Sequence, residues 1–103
     1  MSRIDKLREM LIDSPQDSFL KHALALEFIK KGDDDPAQKL FEEVLQTEPG
    51  YVGSYYHLGK LLERQGNTQK ATAIYEQGIK ECKKVNDRHA MNELQGAYDD
   101  LTT

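Results

Sequence analysis

The chain of 103 residues carries 14 Lys and Arg against 18 Asp and Glu, for a formal net charge of -4, with 38% apolar residues and a single Cys. This length supports one small domain with a modest core. Without surplus cations to neutralise phosphates, the composition argues against nucleic acid as a partner, and one thiol excludes an intramolecular disulfide and fits a reducing compartment.

Residues 2–13 place Ile4, Leu7, Met10 and Leu11 at helical spacing, with Arg3, Asp5, Lys6 and Glu9 mostly on other faces, which predicts a short helix with one buried stripe. The charges here leave no uninterrupted apolar segment for a signal peptide, and no apolar run approaches the roughly 20 residues that span a bilayer. A soluble, cytoplasmic protein without a membrane partner is expected. Ser14 and Pro15 end the helix, because Pro lacks an amide hydrogen and restricts the residue before it. Ser14, Asp17 and Ser18 offer capping oxygens for the next segment.

Residues 18–31 carry Phe19, Leu20, Ala23, Leu24, Ala25, Leu26, Phe28 and Ile29, an apolar arc wide enough to pack on two sides. Lys30 and Lys31 suit the carbonyl end of a helix, and Gly32 can take the left-handed cap. Asp33, Asp34 and Asp35 lack the alternating ligands, central Gly and distal Glu of a calcium loop. Before Pro36 they read as a cap and a dipole-favourable first turn. The helix that follows has Ala37, Leu40, Phe41, Val44 and Leu45 on one face, and Thr47, Glu48, Pro49 and Gly50 break it.

Residues 51–65 form the next helix, with Tyr55, Leu58, Gly59 and Leu62 as its inner stripe and Gly66 and Asn67 as its stop. Residues 68–84 follow, burying Ala71, Ile74, Tyr75, Gly78 and Ile79, with Cys82 half-buried near the end. Glycine inside a helix costs about 1 kcal/mol relative to Ala, so Gly59 and Gly78 point to close approach of a neighbouring helix. The last segment, residues 86–101, carries Ala90, Met91, Leu94, Ala97, Tyr98 and Leu101 on one side and Arg88, Asn92, Glu93, Gln95, Asp99 and Asp100 on the other. Only Val85, Asn86 and Asp87 separate it from the helix before, so one continuous helix from residue 68 is the alternative. The expected class is all-α, with about six helices.

A shift of 34 residues lays Leu24 on Leu58, Ala25 on Gly59, Phe28 on Leu62 and Gly32 on Gly66. The same shift lays Ala37 on Ala71, Leu40 on Ile74, Phe41 on Tyr75, Val44 on Gly78, Leu45 on Ile79 and Pro15 on Pro49. A fixed period of this length marks stacked helical hairpins, which generally build binding surfaces. Tyr55-x2-Leu58-Gly59-x2-Leu62 followed by Ala71-x3-Tyr75 resembles the tetratricopeptide repeat family, whose pattern runs W-x2-L-G-x2-Y, then A-x3-F, then P. So does the upstream copy, Lys21-x2-Leu24-Ala25-x2-Phe28, then Ala37-x3-Phe41 and Pro49, with Lys21 as its departure. The resemblance implies an antiparallel helix-hairpin stack, an α-α superhelix, in one domain over residues 1–103. Its parts are an N-terminal half-unit at 2–14, full repeats at 18–51 and 52–85, and a capping helix at 86–101. In that cap Met91-x2-Leu94-Gln95-x2-Tyr98 restates the first-helix pattern 36 residues after the Tyr55 copy, so the preceding turn holds a two-residue insertion. Gln95 replaces the small residue, as a polar-backed terminal cap allows.

In this family the first helices of successive units line a concave groove that commonly holds a peptide from a partner. The resemblance therefore implies a non-enzymatic interaction or scaffolding module, with no cofactor or metal, whose partner is another protein or peptide. Its groove would be lined by Phe19, His22, Leu26, Ile29 and Lys30 from one helix and Tyr56, Lys60, Glu63 and Arg64 from the next, with His89, Asn92 and Asp99 closing it. The alternative is that Phe19, Leu26 and Ile29 bury the N-terminal helix or pack in a homodimer, making the chain a self-associating structural module. The Lys, Arg and Asn clamp with which some members hold a chaperone carboxylate is absent. His22, Leu26 and His57 stand there, with Asp87 and Met91 or His89 and Glu93 according to the register of the last helix. His22, His57 and His89 all fall on first helices, and a groove-facing triad is the remote route to a metal-binding or enzymatic site. No Cys, Asp or Glu at tight ligand spacing supports it, and the chain has no nucleophile elbow, phosphate loop or HExxH pair.

Overall fold

The computed structural model describes residues 2–103 as six helices: α1 (Arg3–Asp13), α2 (Ser18–Lys31), α3 (Asp34–Thr47), α4 (Gly53–Arg64), α5 (Thr68–Val85) and α6 (Arg88–Thr102). Local chemistry sets most of their ends. The Ser2 side chain accepts from the Asp5 N–H at 3.2 Å, Asp17 Oδ1 from the Leu20 N–H at 3.0 Å, Asn67 Oδ1 from the Lys70 N–H at 3.2 Å and Asp87 Oδ1 from the Ala90 N–H at 3.0 Å. Each such cap contributes about 1 kcal/mol. Asp33 makes no cap bond at the start of α3. There Asp34 and Asp35 lie in the first turn, and the missing amide hydrogen of Pro36 is among those that have no intrahelical acceptor in any case.

Gly32 closes α2 at a φ of 85°, as its position requires. Asn86 takes the same left-handed conformation at a φ of 59° and separates α5 from α6, so the continuous helix from residue 68 does not form. Asn tolerates this region better than most residues, and Asp87 restarts the chain as a cap. Helix α4 begins at Gly53, two residues later than the periodicity suggests, because Tyr51 and Val52 lead in through a turn whose carbonyls accept from Ser54 and Tyr55, each at 3.3 Å.

The helices fall into two compact units, Met1–Glu48 and Pro49–Thr103. In the first, α2 and α3 pack as a hairpin and α1 covers α2. Leu7, Leu24, Phe28, Phe41 and Val44 fill this core, and the small side chains of Ala25 and Ala37 are fully enclosed. Lys21, the departure from the repeat pattern, is buried as well, at 9% exposure. Its stem lies in the apolar layer while Nζ reaches Glu43 at 3.5 Å and Gln16 Oε1 at 3.4 Å.

In the second unit α4 and α5 form the hairpin and α6 packs on α5 and touches α4. Tyr55, Leu58, Leu61, Leu62, Ala71, Tyr75, Cys82, Leu94 and Ala97 are buried. A Cβ on Gly59 would stand 2.6 Å from Tyr75 Cζ, and one on Gly78 would stand 2.7 Å from Tyr55 Cβ and 2.8 Å from Leu94 Cδ1. Neither site has room for a side chain, which is the close approach these glycines imply. Cys82 is fully buried where half-burial was expected; α6 folds back over the end of α5 and covers it. Helix α5 has 18 residues against 14 in α3, so it runs about one turn further than its counterpart.

Candidate functional site

At 100° per residue, Phe19, His22, Leu26, Ile29 and Lys30 share one arc of α2, away from the stripe of Lys21, Leu24, Ala25 and Phe28 that enters the core. Phe19 is 63% exposed, which is unusual for a large aromatic side chain in a chain this small. Leu26 and Ile29 are half-buried and Lys30 is exposed. Lys30 Nζ lies 3.2 Å from Glu27 Oε2, the same oxygen that Arg3 Nε approaches at 3.5 Å from α1. His22 belongs partly to the core, since its ring meets that of buried Phe41 edge-on with centroids 5.6 Å apart.

On α4, Tyr56, Lys60, Glu63 and Arg64 likewise share one arc. Lys60 Nζ sits 5.7 Å from the centroid of the Tyr56 ring and 3.5 Å from Glu63 Oε2. The Tyr56 ring in turn meets His57 edge-on at 5.7 Å. Glu63 faces inward as well as outward, because its Oε2 accepts a hydrogen bond from the hydroxyl of buried Tyr75. Helical periodicity gives no sign of that bond. The shift of 34 does, since Phe41 with Ile29 in one unit becomes Tyr75 with Glu63 in the other. A buried hydroxyl needs an acceptor, and the carboxylate arrives at the matching position.

Burial dominates the titration behaviour of the second unit. It pushes the Tyr55 hydroxyl up to about 12, with the Glu81 charge adding to it, while that hydroxyl donates to the Pro49 carbonyl at 2.7 Å. Burial, then the bond to Glu63, pushes Tyr75 further still. Burial lowers His57, partly offset by Glu93, and raises the Cys82 thiol, with Asp87 adding to the effect. Both shifts favour the uncharged form, the neutral imidazole of His57 and the protonated thiol of Cys82. His89, Asn92 and Asp99 are exposed on α6, where Asp99 Oδ1 accepts from Gln95 Nε2 at 3.0 Å. Among the described residues no group of three or more His, Cys, Asp or Glu is placed to hold a metal ion, so the three histidines make no such cluster.

The family model that describes the tetratricopeptide repeat matches residues 28–98, well over half of the chain. The chain belongs to the tetratricopeptide repeat family. A crystal structure of a tetratricopeptide repeat domain protein from Salinibacter ruber is 42% identical, superposes with a TM-score of 0.81, and shares 84% of this chain and 96% of its own. A TPR repeat-containing protein from Pseudomonas aeruginosa is 24% identical over 91 residues, 88% of this chain and 87% of that protein. The aspartyl/asparaginyl beta-hydroxylase of Mus musculus is 32% identical over 65 residues, but the match spans only 9% of that protein. The tetratricopeptide repeat fold is in general that of a protein interaction or scaffolding module and is typically non-enzymatic. No helix among the described residues is long and apolar enough to cross a membrane.

Proposed function

We propose that this tetratricopeptide repeat chain binds a segment of another protein through the exposed arcs of its first-type helices, in the groove that such helices line in the family. Residues 18–51 and 52–85 act in this reading as two full repeats of one domain, with 2–14 and 86–101 as the partial units at its ends. Phe19, His22, Leu26, Ile29 and Lys30 on α2 offer an apolar strip with one cation, and Tyr56, Lys60, Glu63 and Arg64 on α4 offer an aromatic and charged one. A reducing, cytoplasmic setting suits the free thiol of Cys82.

The observation that carries the reading is Phe19. The core is filled without it, yet it stands 63% exposed beside the partly open Leu26 and Ile29. Apolar side chains grouped on one exposed arc mark an interaction surface more often than scattered ones do. The test compares proteins captured by the native chain with those captured by Leu26→Glu and by Tyr56→Ala, after circular dichroism has shown that both variants remain helical. Selective loss of a partner from both supports the proposal, and an unchanged set of partners overturns it.

Ile12, 78% exposed, and Met10, 45% exposed, favour a second reading, in which α1 and α2 of one copy meet those of another. Solution mass by light scattering separates the two. A dimer that Leu26→Glu returns to a monomer would make self-association the use of this surface.

A further inference from the structure

The α5–α6 corner carries a feature that neither the repeat pattern nor the α2 and α4 arcs explain. The extra length of α5 and the reversal at Asn86 leave a solvent-open cleft of about 160 Å³, lined by Cys82, Lys83, Asn86, Asp87, Arg88 and Met91. That volume is about five times the share of one liquid water. It is room for a side chain and too little for a cofactor.

The charges around the cleft are not balanced. Lys84 is held by Glu81 Oε2 at 3.1 Å. Lys83 and Arg88 are exposed and have no ion pair among the described residues, and Lys80, one turn back on α5, is in the same state. Lys83 sits at the carbonyl end of α5, where a cation is favourable in any case. Arg88 is the first residue of α6, at the positive end of the helix, where a cation is disfavoured, so helix stability does not explain it. Asp87 is the one acid in the lining, and its carboxylate is engaged in capping α6 through the Ala90 N–H. Met91 and Cys82 supply an apolar, polarisable floor.

We infer that this corner is a second docking site, for an acidic protein segment that places a carboxylate side chain between Lys83 and Arg88 and an aliphatic one against Met91. Charge complementarity selects the occupant. An anionic membrane is a poorer fit, because a flat lipid surface would not need a cleft with an apolar floor.

The test is a fluorescence-anisotropy titration of the full chain with a labelled synthetic peptide alternating Glu and Leu, set beside its Lys and Leu counterpart. The acidic peptide is expected to bind and the basic one not. Lys83→Gln combined with Arg88→Gln is expected to weaken binding about tenfold and to flatten its salt dependence, while Lys39→Gln, an exposed cation on α3, leaves it unchanged. Both corner side chains are exposed, so the melting curve should not move. Lys83→Glu with Arg88→Glu is expected to exchange the preference and admit the basic peptide, a gain that loss of stability cannot imitate. No binding, equal binding of both peptides, or release by Lys60→Gln but not by the corner variants would overturn the proposal, the last by moving acid recognition to α4. Self-association or sedimentation with phosphatidylserine vesicles that the corner variants abolish would overturn it too, in favour of a second copy or a membrane as the occupant.

Discussion

In the first unit the α2–α3 hairpin closes over Ala25 and Phe41, and Lys21 seals its edge through Glu43 and Gln16. In the second the α4–α5 hairpin closes over Gly59 and Tyr75, and Tyr55 seals the equivalent edge by donating to the Pro49 carbonyl. The added hydroxyl of Tyr75 accompanies two other changes, the loss of a methyl at residue 59 and the arrival of a carboxylate at residue 63 where the first unit has Ile29. A repeat thus conserves a volume and a hydrogen-bond balance more than it conserves residues. What one unit leaves apolar and half-buried, at Ile29, the other uses to satisfy its own core, at Glu63.

Removing the central ring of either unit is expected to have the largest effect. Phe41→Ala and Tyr75→Ala should each cost about 3–5 kcal/mol by urea denaturation, with Tyr75→Ala also freeing Glu63 from its buried partner. Gly59→Ala should come next, at about 1–3 kcal/mol, since the new methyl meets the face of the Tyr75 ring. Tyr75→Phe should not rescue it, because the obstructing atoms belong to the ring and not to the hydroxyl. Rescue by that variant would show that the two units differ for some other reason than ring placement.

The covariation itself can be measured. Glu63→Ile alone leaves a buried hydroxyl without its acceptor and should cost about 1–3 kcal/mol. Glu63→Ile together with Tyr75→Phe rebuilds the pair found in the first unit, and it should cost less than the sum of the two single changes. Additive costs in this double-mutant cycle would mean that the bond does not explain the sequence difference.

Smaller effects follow from pH. Tyr55 rises from 10.0 to about 12 on folding, so its contribution to stability is intact below pH 10 and is lost as the pH climbs through 12. Tyr75 and Cys82 act in the same direction. His57 runs the other way. Its folded value lies below the ordinary 6.5, so the unfolded chain takes up the proton first and stability declines as pH falls below that value. Melting curves across pH should therefore fall at both ends. Tyr55→Phe with Tyr75→Phe should flatten the alkaline limb and leave the acid limb, whereas His57→Gln should do the reverse.

Much of this is legible in the sequence. The period of 34, the cap at Asp17, the left-handed Gly32 and the crowded Gly59 and Gly78 are all local or periodic signals, and periodicity also puts Phe19, Leu26 and Ile29 off the core stripe, whereas Asn67, read as the stop of one helix, also caps the next. The burial of Lys21 was not legible, because a long stem with a charged tip can lie in or out according to what faces it. The bond from Tyr75 to Glu63 leaves no mark in helical periodicity, because it depends on how two helices of a hairpin meet, and only the paired changes at the shift of 34 point to it. The corner at Lys83 and Arg88 arises only once α5 overruns its counterpart and α6 folds back, a tertiary event that no residue pattern encodes by itself.

The smallest expected effect separates the reasons for the glycines. Gly59 and Gly78 lie inside helices because neighbouring side chains occupy the space a Cβ would need. Gly96 lies inside α6 with nothing within 4 Å of where its Cβ would stand. Packing therefore offers no compensation for its low helix propensity, and its conformation is not one that excludes a side chain, since positive φ among glycines is confined to Gly32 and Gly66 within the described residues. Gly96→Ala is accordingly expected to stabilise the chain by about 0.5–1 kcal/mol, through a less free unfolded state and a better-formed α6. The melting temperature should rise by a few degrees. If Gly96→Ala instead destabilised the chain, or abolished binding of a partner while leaving the fold intact, the outer face of α6 would be an approach surface like those at Gly59 and Gly78, with the neighbour supplied by another molecule.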